Sequence, residues 1–147
     1  MQLSAAGLEL LKRSEGFRGH TYNDVNGFPT IGYGHRLLKT ERFPDGINEQ
    51  RATEILLADI RTSEQAVARL VKVPLTQGQF DALVDFCFNL GAGRLASSTL
   101  LKVLNSGRHA DAAEQLLRWD FAGGVECAGL KARRHAEFEL WHGRLAA

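Results

Sequence analysis

The first apolar pattern along the chain predicts an amphipathic helix that ends at Glu15. Leu8, Leu11 and Glu15 fall at positions i, i+3 and i+7, which lie on one face of a helix. Ser4 is placed to act as the N-cap, and Gly16 is the residue expected to follow the last turn. Glu15 should therefore lie on the apolar face, where partial loss of hydration favours the protonated form that a general acid needs.

A polar, glycine-containing stretch follows and predicts a β-hairpin. One strand is expected over 17–22 and a returning strand over 28–33, joined by a turn that contains Asn26-Gly27. Pro29 cannot donate a hydrogen bond to a neighbouring strand, so it indicates that the returning strand lies at the edge of its sheet.

Two polar residues of this hairpin are candidates for chemistry. Asp24 falls at the corner between strand and turn, and Thr30 falls near the start of the returning strand. Each alone has a structural explanation, since Asp is common in turns and Thr in strands. Together with Glu15 they supply an acid, a base and a hydroxyl that can position water, as hydrolysis of a glycosidic bond with inversion requires.

Beyond the hairpin the apolar pattern becomes helical. Asn48 is expected to cap a long helix that ends near Val71, before Pro74. Thr76 and Gln79 form the pattern of a capping box at the start of the next helix. The remaining pattern predicts helices over about 76–90, 100–104, 110–119 and 130–142.

The predicted organisation is a single α+β domain, mostly α, over residues 1–147. A small lobe at about 12–47, with its hairpin at 17–35, is joined by a connecting helix at about 48–71 to a helical lobe. That lobe covers about 72–147 and includes the N-terminal helix. We expect a cleft between the lobes.

Composition excludes some classes of protein. The chain has 18 basic and 17 acidic residues and a net charge of +1, a balance that does not favour a nucleic-acid or membrane partner. Cys87 and Cys127 are too few for a disulfide framework and are expected to be free thiols. No His or Cys stands at ligand spacing from His35, so we expect a hydrogen-bonding role for His35, no metal and no cofactor.

The spacing of the candidate residues resembles a known catalytic signature. Eight residues separate Glu15 from Asp24, five separate Asp24 from Thr30, and Ile-Gly-Tyr-Gly-His follows. This resembles phage lysozymes of the T-even and lambdoid type, glycoside hydrolase family 24. The resemblance continues at Val73–Leu83, Phe88–Gly93, Trp119, Ala122–Gly124 and Gly129–Arg134.

The resemblance implies a lysozyme-like fold and an endolysin that cuts peptidoglycan at the β-1,4 bond between N-acetylmuramic acid and N-acetylglucosamine. Glu15 would protonate the leaving oxygen while Asp24 and Thr30 hold water. Inversion predicts carboxyl groups about 6.5 to 9.5 Å apart, whereas a retaining mechanism with Asp24 as nucleophile needs roughly 5 Å.

Further roles follow from the same resemblance. Substrate contacts are implied at Phe88, for which core packing is the alternative, and at position 36, which is apolar in the T-even type and is Arg36 here. The residues themselves suggest that one of Arg133 and Arg134 pairs with an acidic residue near the active site and the other is solvated. The alternative is that they bind carboxylates of the glycan.

The cellular route is also an expectation. The N-terminal sequence lacks the apolar core of a signal peptide, and no apolar run reaches the length of a membrane span. We therefore expect a monomer that stays in the host cytoplasm, without membrane insertion, until a holin gives it access to the cell wall.

Three alternatives remain open at this stage. The chain could be a non-catalytic wall-binding protein on the same fold, which the intact Glu15, Asp24 and Thr30 argue against. It could be a helical nucleic-acid binder, although a basic recognition helix is missing. It could also be a lytic transglycosylase, which uses a Glu acid but no water.

Overall fold

The computed structural model describes residues 1–122 and 124–144, and within them the chain forms seven helices and five strands. In chain order these are α1 (Ala5–Glu15), β1 (Arg18–Asn23), β2 (Pro29–Gly32), β3 (His35–Arg36), α2 (Glu49–Leu70), α3 (Gln77–Leu90), α4 (Ala92–Ala96), α5 (Thr99–Asn105), α6 (His109–Leu116), β4 (Phe121–Ala122), β5 (Val125–Glu126) and α7 (Ala128–Trp141). The resemblance at Gly123 and the predicted domain end at 145–147 lie outside the described residues.

The chain divides into two compact units. One comprises Leu11–Thr62, and the other comprises Met1–Leu10 with the described residues from Ser63 onward. We call them the sheet unit and the helical unit. Helices α1 and α2 each contribute residues to both. The predicted lobe boundaries and the predicted cleft stay predictions.

The sheet unit contains a three-stranded antiparallel sheet in the order β1-β2-β3. Strand β3 was not predicted, because two residues are too few to show an alternating pattern. The prediction that the returning strand lies at an edge is therefore wrong, since β2 is the central strand. Pro29 is tolerated because it is the first residue of β2, and its carbonyl oxygen accepts a hydrogen bond from the Leu37 N–H at 2.9 Å.

Both predicted helix caps in this part of the chain are present. The Ser4 hydroxyl accepts from the Gly7 N–H at the start of α1, and it also donates to the Asp81 carboxylate in the helical unit. The Asn48 side chain accepts from the Arg51 N–H at 2.8 Å at the start of α2. These bonds satisfy N–H groups that a helix leaves without an internal partner.

The helical unit is built on α3, whose start has the predicted capping box. Thr76 accepts from the Gln79 N–H, and the Gln79 side chain accepts from the Thr76 N–H. Helix α3 packs against α7, and the ring of Phe86 meets that of Trp119 edge-on at 5.4 Å. Helix α4 and the β4–β5 hairpin were not predicted from the sequence.

Arg133 and Arg134 differ from the sequence-based expectation. Both are buried in the helical unit, so the prediction that one of them is solvated is wrong. Arg133 donates two hydrogen bonds of 2.9 Å to Asp85, and Arg134 donates to Asn89 and Glu137 at 2.8 Å. Charged groups held inside a protein need such partners because they have lost their hydration.

Among the described residues, no helix combines the length and the apolar character needed to cross a membrane.

Candidate active site

Glu15 is the last residue of α1 in the sheet unit, and its side chain is half-buried. The helix stops there because Gly16 adopts the left-handed conformation, with φ of 75°, and donates to the Lys12 carbonyl oxygen. The carboxylate lies against the turn between β2 and β3. A Cβ atom added to Gly34 would be 2.8 Å from Glu15 Oε1, so this approach requires a residue without a side chain.

Aromatic residues surround this end of α1. The ring of Tyr33, which is buried, lies 5.7 Å from that of Phe17. The Lys12 ammonium is 5.8 Å from the Tyr33 ring, close enough for a cation–π contact. The turn that carries Gly34 is thus held on the same side of the sheet unit as Glu15.

Asp24 follows β1 and organises the hairpin turn. Its Oδ1 accepts from the N–H groups of Asn26 and Phe28, both at 2.9 Å. Its Oδ2 lies 3.5 Å from Nη2 of Arg36. The hydrogen bond from the Phe28 N–H is the main cause that lowers the pKa of Asp24; burial acts in the opposite direction, and Asn26 and Arg36 lower the pKa further. Asp24 is therefore held as a carboxylate.

Thr30 is buried in the centre of the sheet, opposite Tyr22 on β1 and Arg36 on β3. Its hydroxyl donates to the Phe28 carbonyl oxygen at 2.8 Å. Because that hydrogen is already committed, the hydroxyl oxygen is left to accept a hydrogen bond from another group, such as water.

Strand alternation places these residues on one face of the sheet. Residues paired across antiparallel strands share a face, and so do residues two apart along a strand. Thr30, Tyr22 and Arg36 therefore share a face. Asp24 and Phe28 lie just outside β1 and β2, and both contact the Arg36 side chain on that face. The structure thus brings the predicted base and the predicted water-positioning hydroxyl to the same face.

The predicted hydrogen-bonding role of His35 is confirmed. Its Nδ1 is 2.8 Å from Asp59 on α2, and its Nε2 is 2.9 Å from Glu41 in the loop after β3. Burial lowers the pKa of His35, but the hydrogen bonds and charges of Glu41 and Asp59 outweigh burial and raise it. Among the described residues, no three His, Cys, Asp or Glu side chains are grouped to hold a metal ion.

A pocket of about 590 Å³ also lies in the sheet unit. Pro29 at the start of β2 and Leu37 just after β3 line it. The other residues that line it are His20, Thr21, Arg42, Phe43 and Pro44.

The other residues singled out from the sequence are Phe88, Cys87 and Cys127. Phe88 is half-buried on α3 in the helical unit, and its role as a substrate contact stays a prediction. Cys87 is buried, and burial raises the pKa of its thiol. Cys127 precedes α7 as its N-cap residue, without a capping bond from its side chain. Both thiols are free.

The fold is mostly helical with a small antiparallel sheet, and Glu15 at the end of a helix, Asp24 after β1 and Thr30 on β2 form the arrangement expected of a lysozyme-like glycoside hydrolase. The family model for phage lysozyme matches residues 12–137. The chain therefore belongs to the phage lysozyme family.

Relatives agree with this assignment. The chain is 42% identical to an endolysin of Bacillus phage B103 over 96% of its own length, but it spans only 54% of that protein. It is 40% identical to an endolysin of Salmonella phage P22, covering 84% of this chain and 86% of that one.

A solved structure confirms the fold class predicted from the sequence. The crystal structure of a P22 lysozyme mutant superposes with a TM-score of 0.88 at 37% identity, covering 97% of this chain and 99% of that chain. The α+β, mostly α, lysozyme-like fold is therefore established.

Proposed function

We propose that this chain is an endolysin that hydrolyses the β-1,4 bond between N-acetylmuramic acid and N-acetylglucosamine in peptidoglycan, and so lyses the host cell. Membership of the phage lysozyme family supports this activity. The single observation that carries the assignment of residues is the Asp24 carboxylate, kept ionised on the same face of the sheet as the Thr30 hydroxyl.

Glu15 acts as the general acid. In the proposed reaction its carboxylic proton passes to the glycosidic oxygen as the bond from that oxygen to the anomeric carbon breaks. Glu15 is half-buried at the end of α1, and its carboxyl lies against the turn between β2 and β3.

Asp24 and Thr30 activate the water. Thr30 accepts one hydrogen of the water, since its own hydrogen is donated to Phe28. Asp24 accepts the proton that the water loses as its oxygen bonds to the anomeric carbon. This division of roles gives inversion, for which we expect the carboxyl groups of Glu15 and Asp24 to stand about 6.5 to 9.5 Å apart.

The assignment of Glu15 is tested by the clearing of chloroform-treated Gram-negative cells. Glu15→Gln keeps the shape of the side chain but removes the proton that it donates, so we expect the clearing rate to fall by a factor of about 10² to 10⁴. Glu9→Gln is the matched control, because Glu9 is an exposed residue of the same helix. Equal clearing by the parent and Glu15→Gln would refute the role of the acid.

The class of reaction is tested by the mass of the released muropeptides. Hydrolysis adds one water and leaves a reducing end, whereas a lytic transglycosylase forms an anhydro product. We expect reducing ends from the parent and a large loss of product from Asp24→Asn. Anhydro products would assign the chain to the transglycosylases, and wall binding without any product would assign it to the non-catalytic binders.

The route to the wall is part of the proposal. The protein stays in the host cytoplasm as a monomer until a holin opens the inner membrane, and it then acts in the periplasm. Expression in a host cell with and without a holin tests this route. We expect lysis only when the holin is present, whereas lysis by the chain alone would require another route across the membrane.

A further inference from the structure

Arg36 has two partners on the catalytic face of the sheet. Its guanidinium carbon lies 3.9 Å from the centroid of the Phe28 ring, and its Nη2 lies 3.5 Å from Asp24 Oδ2. Strand β3 places it there, because Arg36 is paired with Thr30 across the sheet. One side chain of β3 thus connects the proposed base, an aromatic ring of the hairpin and the strand that carries the proposed hydroxyl.

We propose that Arg36 is a positioning residue, which is stacked on Phe28 and holds the Asp24 carboxylate in the orientation that accepts the proton of the attacking water. This inference rests on the proposed function.

The two oxygens of Asp24 are fixed by different parts of the chain. Oδ1 is bound by the Asn26 and Phe28 N–H groups of its own turn. Oδ2 is held electrostatically by Arg36 from β3. The Nη2–Oδ2 distance of 3.5 Å exceeds that of a charge-assisted hydrogen bond, which is about 2.7 to 2.9 Å. Arg36 therefore aligns the carboxylate and still leaves Oδ2 free to bind water.

The Phe28 ring explains how an exposed arginine can align the Asp24 carboxylate. More than half of the Arg36 side chain is exposed, and an unsupported surface arginine samples many rotamers. Stacking on an aromatic face restricts the planar guanidinium without using its N–H groups. An exposed ion pair contributes little to folding stability, so its effect should appear in the reaction rather than in the stability of the fold.

The pH dependence of the Asp24 charge follows from the groups that face this residue. The Asn26 and Phe28 N–H groups come from its own turn, and the Arg36 charge comes from β3. On β2 the neighbour Thr30 is uncharged, and on β1 Tyr22 stacks with Arg18, whose guanidinium carbon is 4.5 Å from the ring centroid. His35 alternates to the other face and binds Glu41 and Asp59. Among the residues that the structure describes, Arg36 is therefore the charged side chain that lowers the pKa of Asp24.

The test measures kcat and KM on a soluble peptidoglycan fragment for Arg36→Met and Arg36→Lys, with Arg18→Met for comparison. Arg18→Met is the matched control, because Arg18 stacks on an aromatic ring in the same sheet without a carboxylate partner in the structure described. For Arg36→Met we expect kcat to fall about 10-fold or more with little change in KM, since a misplaced catalytic group can cost up to about 100-fold. Arg36→Lys should recover part of kcat, and Arg18→Met should resemble the parent.

A second readout does not depend on activity. Titration of the Asp24 carboxyl carbon by NMR should give a higher pKa in Arg36→Met than in the parent, and the acid limb of kcat should move to higher pH by the same amount. Phe28→Leu keeps the charge but removes the stack, so it should lower kcat without a comparable change in the Asp24 titration.

The outcomes separate this inference from the proposed function. An increase in KM with unchanged kcat in Arg36→Met would make Arg36 a direct substrate contact and overturn the inference. An unchanged Asp24 titration together with an unchanged kcat would overturn it as well. A parent protein that releases no muropeptides would refute the proposed function, while the NMR titration would still test the contact between Arg36 and Asp24.

Discussion

At the scale of single residues, the position of the proposed acid depends on a glycine. Gly34 has φ of 77°, which is unfavourable for any residue with a side chain, and it lies directly against Glu15 Oε1. Two requirements therefore coincide at one position. One is a conformational requirement of the turn between β2 and β3, and the other is space for the Glu15 carboxylate.

Gly34→Ala should therefore impair both stability and lysis. The left-handed conformation should cost about 1–2 kcal/mol of unfolding free energy, and the new methyl group must displace the Glu15 carboxylate. The matched control is Gly107→Ala, where φ is 89° and no atom lies within 4 Å of the added Cβ. Urea unfolding should show similar losses of stability in both variants, whereas the clearing assay should show a loss of activity only in Gly34→Ala.

Equal clearing rates for the two variants would mean that the carboxylate of Glu15 adapts to the methyl group without loss of function. The proposed importance of its position against Gly34 would then be wrong.

Glu15, Asp24 and Thr30 were predicted as a set from their spacing and from the helix-end, turn and strand signals beside them, and their catalytic roles stay a prediction. The partner of Asp24 was not predictable in the same way. Arg36 lies on a strand of two residues, so the sequence carried no alternation that would place it on the face of Asp24. The proximity of Gly34 to Glu15 likewise depends on how the turn packs against α1.

At the scale of secondary-structure elements, α3 and α7 are joined by a buried ion pair. Asp85 on α3 accepts two hydrogen bonds from Arg133 on α7, and both side chains are almost inaccessible to water. Burial opposes the charged form of Asp85, but hydrogen bonds from Glu137 and Arg133 outweigh burial and lower its pKa. Burial and the nearby Asp85 carboxylate raise the pKa of Glu137 well above its ordinary value.

Arg133→Met should destabilise the helical unit strongly, because it leaves the Asp85 carboxylate buried without its arginine. We expect a loss of about 3–5 kcal/mol in the free energy of unfolding, measured in urea. Lys131→Met is the control on the same helix, since it removes only the exposed pair with Glu126 and should cost less than about 1 kcal/mol. Similar losses in the two variants would show that the buried pair has no special role.

The elements themselves were predictable to different degrees. The capping box at Thr76 and the left-handed Gly16 are local signals, and both helix ends are found where they were predicted. The pairing of Asp85 with Arg133 joins residues 48 positions apart, and a single sequence does not reveal such a partner. Without it, a buried arginine is easily mistaken for a solvated one.

At the scale of the whole molecule, stability should depend on pH through His35, which links β3, the following loop and α2. Its pKa is raised in the folded chain, so the folded state binds a proton more tightly than the unfolded state. This contribution is complete below the unfolded pKa of about 6.5 and is lost as the pH rises through the folded pKa.

His35→Gln should therefore destabilise the protein more at about pH 5 than at about pH 9. The measurement is the free energy of unfolding of the parent and the variant in urea across that range. His109→Gln is a suitable control, because His109 hydrogen-bonds to backbone carbonyl groups rather than to carboxylates. If the free energies of unfolding of the parent and His35→Gln differ by the same amount at every pH, His35 does not couple stability to pH and this prediction is wrong.

The fold class and the family were predictable at this scale because motifs that resemble those of the family are spread along nearly the whole chain. The family model for phage lysozyme matches residues 12–137, which agrees with that extent. Elements of two to five residues, namely β3, α4, β4 and β5, were missed because they are too short to show a repeating pattern of apolar residues.

The central claim is that Asp24 and Thr30 direct a water molecule to the side of the sugar opposite the leaving oxygen. Proton NMR of the first products from a soluble peptidoglycan fragment measures this directly, before the anomers equilibrate. The account predicts that the new reducing end appears as the α-anomer. Initial formation of the β-anomer would instead indicate retention, with Asp24 as the nucleophile, and would contradict the account.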